Sequence, residues 1–282
     1  MKVNSLHSIV NVHWLKEHLN DNNIVILDAT IPKAGASVCR EKGEMSCIKN
    51  ARFFDLKNKF SDQSSPYPNT IVKPSEFQLR VRALGICNDS CIVVYDDYGI
   101  YSSARVWWLF KTFGFDNIVV LDGGFPLWKA NNYPVEKFYK SHFKKGNLEV
   151  SYTSENVNTS QDILSAIDNK EYCIVDARSR NRFYAIEKEP RPGMRSGHIP
   201  GSKNIPYTSL QHFGEMKNTT ELTTAFNEVN PDQKPMIFTC GSGVTACILA
   251  LASDMIGFKN TSVYDGSWSE WGSNHDLPID IS

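Results

Sequence analysis

The stretch of sequence that decides the fold is Met236-Ile-Phe-Thr-Cys240-Gly-Ser-Gly-Val-Thr245-Ala-Cys-Ile-Leu-Ala-Leu-Ala252. A short apolar run ends at Cys240, a turn with two glycines follows, and a mostly apolar segment begins at Ala246. Short apolar runs are typical of strands that are covered on both faces of a sheet. The stretch therefore predicts a buried strand, a tight loop and a helix, which is the building unit of a mostly parallel sheet.

The first half of the chain carries the same signals in the same order. Residues 91–110 repeat the layout of residues 236–252, with an apolar run, a turn containing glycine and an apolar segment. Further on, residues 114–122 and 257–265 have equal lengths, and each begins with Gly and ends with Asp. Matched spacings in one order indicate an internal repeat. We predict two tandem α/β domains at 1–140 and 159–282, each with a mostly parallel sheet flanked by helices, joined by a polar linker at 141–158.

Bulk composition narrows the class of protein. The chain has 282 residues, of which 41% are hydrophobic, and a formal net charge of −1. Without a basic excess, a nucleic-acid partner is not expected. No apolar run approaches the roughly 20 residues of a membrane span, and the N-terminus lacks the apolar region of a signal peptide. The seven cysteines are scattered, which favours reduced thiols. We expect a cytoplasmic protein without a membrane partner.

Cys240 is the strongest candidate for a functional residue. It stands where a predicted strand meets a predicted helix, and open α/β sheets place ligands at the carboxyl ends of their strands. Gly241 and Gly243 permit backbone conformations in which successive N–H groups point inward. With the positive end of the following helix, such a loop favours a thiolate and stabilises a persulfide anion. By contrast, Cys173 and Cys247 are expected to be buried and inert.

Two other loop chemistries do not fit this segment. A cysteine phosphatase needs an arginine that closes its loop on the phosphate. Here Ala246 and Cys247 follow Thr245 instead. A nucleotide-binding P-loop ends in Gly-Lys-Ser or Gly-Lys-Thr, and the loop after Cys240 contains no lysine.

The loop from Cys240 to Ala246 resembles the active-site loop of the two-domain sulfurtransferases of the rhodanese superfamily, in the 3-mercaptopyruvate sulfurtransferase branch. The other motifs that carry the resemblance are Ser64-Ser-Pro-Tyr67, Arg105-Val-Trp-Trp108, Val175-Asp-Ala-Arg178, Arg182-Phe183, Glu189-Pro-Arg191, Gly197-His-Ile-Pro-Gly201 and Tyr264-Asp-Gly-Ser-Trp268. The resemblance extends over the whole chain. It implies that the second domain is catalytic and the first a degenerate copy, in which Asp96 stands in the place of Cys240.

The resemblance also implies an activity and a set of site residues. Cys240 would carry sulfur as a persulfide with Ser242 as a second catalytic residue, without a metal or an organic cofactor. Arg182 and Arg191 would grip the carboxylate and keto oxygen of a small-molecule sulfur donor. The substrate-binding loop would be completed by Gly241, Gly243, Val244 and Thr245. A thiol such as that of reduced thioredoxin would accept the sulfur.

The choice of donor depends on two positions. Members specific for thiosulfate resemble Cys-Arg-Lys-Gly-Val-Thr in the loop and tend to carry an acid at the position of Arg191. This chain has neutral Gly241 and Ser242 and keeps the arginine, which favours 3-mercaptopyruvate. Thiosulfate sulfurtransferase activity, and a persulfide carrier with little free turnover, are the alternatives.

One expected feature of the family is missing from the sequence. In many members, Ser242 would act in a proton-handling triad with a His and an Asp from the first domain. Asn69 stands where the His would fall, and Lys57-Asn58 stands near the position of the Asp. We therefore predict that the triad is absent.

Three other residues are expected to be structural. His198, in the Gly-His-Ile-Pro-Gly segment, is expected to fix a turn, and Trp268 and Trp271 are expected to be core residues.

Overall fold

The structure is a computed structural model that describes residues 8–33 and 46–281. The chain divides into two compact units. Among the described residues, the first unit contains 8–33, 46–63, 71–153 and 213–215, and the second contains 64–70, 154–212 and 216–281. The short segment 64–70 thus groups with the second unit, although it lies within the range 1–140 predicted for the first domain. Cys39 lies outside the described residues.

The first unit is built on a parallel sheet of five strands. Its elements are β1 (Ile9–Val10), α1 (Val12–His18), β2 (Ile24–Asp28), β3 (Cys47–Ile48), β4 (Arg52–Phe53), α2 (Pro74–Ala83), β5 (Cys91–Tyr95), α3 (Ser103–Thr112), β6 (Ile118–Leu121), α4 (Gly124–Ala130) and β7 (Val135–Glu136). The strand order in the sheet is β1-β6-β5-β2-β4, and every pairing is parallel. Strands β3 and β7 form a separate antiparallel pair. All five residues of β5 are buried, as expected for a strand covered on both faces.

The second unit repeats this plan. Its elements are β8 (Val157–Asn158), α5 (Ser160–Asn169), β9 (Cys173–Asp176), α6 (Arg180–Phe183), β10 (Lys203–Asn204), β11 (Gln211–His212), β12 (Glu215–Met216), α7 (Thr219–Val229), β13 (Met236–Thr239), α8 (Ala246–Met255), β14 (Thr261–Tyr264) and α9 (Ser267–Trp271), with short 3-10 helices at Ser154–Asn156 and Tyr207–Leu210. The strand order is β10-β9-β13-β14-β8, again with parallel pairings. The predicted α/β fold with two repeated sheets is confirmed.

Local sequence explains several boundaries in the second unit. Helix α5 begins with a capping box, in which the Thr159 side chain accepts from the backbone of Asp162 and the Asp162 side chain accepts from the backbone of Thr159. Trp268 and Trp271 are buried in the core, as predicted, and their indole N–H groups donate to backbone carbonyls of Arg195 and Pro278. Each tryptophan therefore buries its ring without leaving a polar atom unpaired. Within 8–33 and 46–281, no helix has the length and apolar character needed to cross a bilayer.

The loop after β5 in the first repeat corresponds to the loop after β13 in the second. Asp96 follows β5 as Cys240 follows β13, and its side chain is fully buried. The Asp96 carboxylate accepts hydrogen bonds from the backbone N–H groups of Tyr98 (2.9 Å), Tyr101 (2.7 Å) and Ser103 (2.9 Å), and from the Ser103 hydroxyl (2.6 Å). The first loop therefore contains an anion of its own, bound by converging donors.

We expect Asp96→Ala to destabilise the first unit strongly, because four donors, three of them buried, would lose their acceptor. The free energy of unfolding in urea should fall by roughly 3 kcal/mol. Asp116→Ala is the matched control, since Asp116 is an exposed acid in a surface ion pair with Lys111 and should leave the unfolding curve unchanged. Equal unfolding curves for the two variants would contradict the structural role of Asp96.

Candidate active site

Cys240 lies at the carboxyl end of β13, the strand at the centre of the second sheet. It is only 1% exposed. Its backbone N–H donates to the Ser267 hydroxyl oxygen at 3.2 Å, and its carbonyl accepts from the Trp268 N–H at 3.0 Å. The start of helix α9 therefore fixes the backbone on both sides of the thiol.

Helix α9 also holds the next residue of the loop. The Gly241 carbonyl accepts from the backbone N–H of Ser269 at 2.9 Å and from its hydroxyl at 2.6 Å. Ser267 adopts a left-handed backbone with φ of 48°, which is uncommon for serine. Backbone strain of this kind persists where surrounding structure enforces it, often at functional sites. No role was predicted from the sequence for Ser267 or Ser269, although Ser267 lies within the Tyr264–Trp268 motif.

The loop between Cys240 and helix α8 presents several backbone donors. Among the described residues, the N–H groups of Gly241, Ser242, Val244 and Thr245 have no protein acceptor. Helix α8 begins directly after Thr245, so its positive end adds to the same region. In the first unit, the Asp96 carboxylate accepts from backbone N–H groups of the corresponding loop, whereas no side-chain carboxylate accepts from the four N–H groups named here. Their arrangement can bind an anion supplied by a ligand.

The two loop glycines have different reasons to be glycine. Gly243 has φ of 74°, the left-handed conformation expected from the sequence. Gly241 is not among the residues with positive φ, so the predicted conformational reason does not apply to it. A Cβ at Gly241 would instead lie 3.1 Å from Nη2 of Arg182 and 3.8 Å from Nη1 of Arg191. Gly241 therefore leaves room for the Arg182 guanidinium, and the Arg191 guanidinium lies at ordinary contact distance from the same position.

Arg182 and Arg191 thus converge on the loop from the segment that follows β9. Arg182 lies on the short helix α6, whose first turn is capped by the Ser179 hydroxyl. Arg191 Nη2 donates to the Ser242 hydroxyl oxygen at 3.3 Å. The structure brings together both arginines that the sequence singled out, beside Gly241 and Ser242.

A buried chain of charges orients Arg182. The Glu189 carboxylate, 1% exposed, contacts the Arg182 guanidinium through both oxygens, at 2.5 and 3.1 Å, and Arg178 at 2.7 Å. Arg178 also pairs with Asp176 at 2.6 Å. Burial alone would lower the pKa of Arg178, but the charges and hydrogen bonds of Asp176 and Glu189 raise it. Arg178 is therefore a fixed structural cation, and its charge is compensated.

Arg191 differs from these arginines. In the described part of the chain, no carboxylate lies within ion-pair distance of Arg191. The three arginines and the two carboxylates of Asp176 and Glu189 therefore leave one net positive charge beside the Cys240 loop. The role of Glu189 was not predicted from the sequence, although Glu189-Pro-Arg191 is one of the motifs that carry the resemblance. A buried acid two residues before a binding arginine was the available signal.

Asn69 completes the surroundings of Ser242. It lies in segment 64–70, which belongs to the second unit. Its Nδ2 atom lies 3.1 Å from the Ser242 hydroxyl oxygen and 3.4 Å from the Ser242 carbonyl oxygen. The residue that replaces the expected histidine therefore still contacts the serine. Asn58, near the predicted position of the acid, lies in the first unit and bonds to Asp55.

Other candidates lie outside this constellation. His198 is buried, stacks on Phe183 and bonds to the Phe183 carbonyl at 2.9 Å, which agrees with a turn-fixing role. Cys173 and Cys247 are buried, and burial raises the pKa of the Cys173 thiol. A cleft of about 590 Å³ lies at the amino ends of β9 and β13 rather than at Cys240. Within 8–33 and 46–281, no cluster of His, Cys, Asp or Glu is arranged to hold a metal ion.

The two guanidinium groups should make Cys240 selective for anionic reagents. Relative to a small free thiol, we expect iodoacetate to gain roughly tenfold over iodoacetamide, since about 1.4 kcal/mol of charge attraction is one factor of ten. Arg191→Gln should remove most of this gain, whereas Arg180→Gln, which changes an exposed arginine of helix α6, should keep it. Labelling rates of Cys240 by mass spectrometry measure both. Equal ratios in the unchanged chain and Arg191→Gln would contradict the predicted attraction.

Comparisons with known proteins agree with this architecture. A model of the rhodanese-like domain matches residues 11–131 and 159–274. The chain is 38% identical to 3-mercaptopyruvate sulfurtransferase of Escherichia coli K12, over 96% of this chain and 97% of that protein. It is 35% identical to thiosulfate/3-mercaptopyruvate sulfurtransferase 1, mitochondrial, of Arabidopsis thaliana, over 99% and 79% of the two chains. The crystal structure of SseA, a 3-mercaptopyruvate sulfotransferase from Escherichia coli, superposes with a TM-score of 0.83 at 34% identity, over 93% and 99% of the chains. The chain therefore belongs to the rhodanese family, as a protein with two tandem rhodanese-like domains.

Proposed function

We propose that this chain is a sulfurtransferase that takes sulfur from 3-mercaptopyruvate onto Cys240 as a persulfide, releases pyruvate and passes the sulfur to a thiol. The observation that carries the proposal is the approach of Arg182 and Arg191 to Gly241, directly beside Cys240. Two guanidinium groups at one edge of a cysteine loop suit a small acid whose sulfur must reach the thiol. The donor is the one named for the Escherichia coli relative.

The charge of the site supports a donor with one negative charge. Asp176 and Glu189 together compensate Arg178 and Arg182, so that Arg191 supplies the uncompensated charge among the described residues. A single carboxylate matches that charge. In this proposal, Arg191 binds the carboxylate, and Arg182, oriented by Glu189, binds the keto oxygen. This division of roles uses the planar guanidinium of each arginine as a fixed donor pair.

The first half of the reaction forms the persulfide. The Cys240 thiolate attacks the sulfur of 3-mercaptopyruvate, an S–S bond forms and the C–S bond breaks. The electron pair of the C–S bond passes to the substrate as pyruvate enolate, whose oxygen charge Arg182 and Arg191 stabilise. Overall, the proton of the substrate thiol ends on the methyl carbon of pyruvate. The backbone donors of the loop from Gly241 to Thr245 hold the persulfide anion that remains.

The second half regenerates the thiol. An acceptor thiolate attacks the outer sulfur of the Cys240 persulfide, the S–S bond breaks and Cys240 leaves as a thiolate. A dithiol acceptor such as reduced thioredoxin would then close to its disulfide and release hydrogen sulfide. A reducing compartment such as the cytoplasm would keep both the acceptor and Cys240 in the thiol form.

Thiosulfate is the second candidate donor, because the name of the Arabidopsis relative includes it. Its two negative charges fit a site with one net positive charge less well. Gly241 and Ser242 add no cation to the loop. A third possibility, a persulfide carrier with little free turnover, predicts a stable persulfide and slow release of pyruvate in the presence of an acceptor thiol.

Cys240→Ser should abolish pyruvate release from 3-mercaptopyruvate, because the hydroxyl cannot carry sulfur. We expect kcat to fall by at least about 10³-fold, as for other lost nucleophiles. Intact-mass measurement after incubation with the donor should show one added sulfur atom in the unchanged chain and none in the variant. Cys173→Ala, which removes a buried thiol at the other end of the sheet, should retain both properties. Full pyruvate release by Cys240→Ser would rule out this nucleophile.

Glu189→Gln should change the choice of donor. The substitution removes one buried negative charge between Arg178 and Arg182. The site then carries more positive charge, which favours binding of a dianion over a monoanion. We expect the ratio of kcat/KM for thiosulfate to that for 3-mercaptopyruvate to rise by about tenfold. Glu187→Gln changes an exposed acid in the same segment and should leave the ratio unchanged. An unchanged ratio in Glu189→Gln would show that Glu189 does not set the charge felt by the donor.

A further inference from the structure

The Ser242 side chain, in a residue only 8% exposed, has an unusual set of partners. Its hydroxyl oxygen lies 3.1 Å from Asn69 Nδ2 and 3.3 Å from Arg191 Nη2. A guanidinium has donors and no acceptor, so the contact with Arg191 can only be a donation to Ser242. The direction of the second contact depends on which end of the Asn69 amide faces the serine.

The orientation of the Asn69 amide follows from a second contact. The same Nδ2 atom lies 3.4 Å from the Ser242 carbonyl oxygen, which can only accept. An amide with its oxygen turned towards Ser242 would place two acceptors against each other. The nitrogen therefore faces Ser242, and Asn69 donates to the hydroxyl oxygen.

Asn69 is held in this position by its own loop. Its φ of 63° is in the left-handed region, which asparagine tolerates better than most residues. The preceding turn is closed by the Ser65 hydroxyl, which accepts from the Tyr67 N–H at 3.1 Å and contacts the Thr70 hydroxyl at 2.7 Å. The Thr70 hydroxyl also lies 3.0 Å from the Tyr67 carbonyl. The amide donor is thus placed by a local turn before any ligand binds.

A serine hydroxyl has two acceptor positions and one O–H donor. Here the two acceptor positions receive Asn69 and Arg191, and in the described part of the chain the O–H has no protein acceptor. We propose that Ser242 acts as a fixed hydrogen-bond donor to the atom of the bound sulfur donor on which negative charge develops, and that Asn69 is the positioning residue that prevents Ser242 from acting as a base. This inference rests on the proposed function and specifies the role of one residue in it.

The proposal has a chemical consequence for the dependence on pH. A base role for Ser242 needs a neighbour that takes up its proton, and the Asn69 amide cannot do so in the range where enzymes work. The serine O–H therefore stays protonated throughout the reaction and lowers the energy of developing charge as an oxyanion donor does. No side chain that titrates near pH 6.5 contacts the hydroxyl of Ser242 among its described partners.

A double-mutant cycle tests the proposal. Asn69→Gly removes the amide and keeps the left-handed backbone, and Ser242→Ala removes the hydroxyl. For pyruvate release from 3-mercaptopyruvate we expect kcat to fall about 30-fold in Ser242→Ala and about fivefold in Asn69→Gly, with KM changed less than about threefold. The double variant should equal Ser242→Ala if the effect of Asn69 on kcat passes through the serine hydroxyl, as proposed.

Asn132→Gly is the matched control. Asn132 is an exposed asparagine with φ of 54° in the first unit, so the same substitution in the same backbone conformation should leave kcat unchanged. Asn69→His supplies a separate readout. The unchanged chain should show no limb in its kcat profile near pH 6.5, whereas Asn69→His should acquire one, because a neutral imidazole can accept the serine proton. Thermal unfolding midpoints verify that each variant is folded.

Different results would overturn the proposed function, the role of Ser242 and the positioning role of Asn69. The proposed function fails when the unchanged chain forms neither pyruvate nor a Cys240 persulfide from 3-mercaptopyruvate. The role of Ser242 fails when the unchanged chain is active and folded Ser242→Ala retains its kcat. The positioning role of Asn69 fails when Asn69→Gly lowers kcat as much in the Ser242→Ala background as alone. A limb near pH 6.5 in the unchanged chain also overturns it.

Discussion

Both halves of the molecule depend on one feature: the loop after the central strand has converging backbone donors that favour a bound anion. Where a buried strand gives way to a helix through a tight turn, several backbone N–H groups point to one place and the helix adds its positive end. In the first unit, the anion is the Asp96 carboxylate, which accepts four hydrogen bonds. In the second unit, the corresponding residue is Cys240, and the backbone donors of Gly241, Ser242, Val244 and Thr245 have no acceptor among the described residues. The loop of the first unit therefore contributes to stability. In the proposed mechanism, the loop of the second unit stabilises the persulfide anion formed on Cys240.

A second constraint is the charge balance around that loop. Arginines brought close together repel one another, and burying them is costly unless acids accompany them. Glu189 resolves this conflict by lying between Arg178 and Arg182. It also fixes the plane of the Arg182 guanidinium through two contacts. The same carboxylate that stabilises the segment thereby reduces the positive charge presented to a ligand, and Arg191 is left to supply it. In the proposed mechanism, the buried Glu189 carboxylate therefore affects both the stability of the segment and the choice of donor.

The sequence predicted features that depend on neighbours along the chain. The strand, loop and helix around Cys240, the repeat in the first half and the approach of Arg182 and Arg191 follow from local patterns or a resemblance in motif order. Contacts between distant segments were not predictable in this way. Ser267 and Ser269 hold the loop from a different strand end, and segment 64–70 groups with the second unit although it lies early in the chain. Gly241 was expected for its backbone freedom, but the structure shows that it leaves space for the Arg182 guanidinium. Such a reason is visible only when the side chains of other segments are in place.

The replacement of a histidine by Asn69 agrees with the proton balance of the proposed reaction. A thiol donor brings its own proton, and pyruvate needs one proton at its methyl carbon, so the transfer of sulfur to Cys240 requires no net gain or loss of protons. A site with this stoichiometry needs a thiolate nucleophile and stabilisation of the enolate more than it needs a titrating base. In the proposed mechanism, the loop amides stabilise the sulfur anion, and the arginines with a fixed Ser242 donor stabilise the enolate. A neutral asparagine also avoids a further cation beside Arg191 at low pH, which keeps the charge of the site constant while a histidine would vary it.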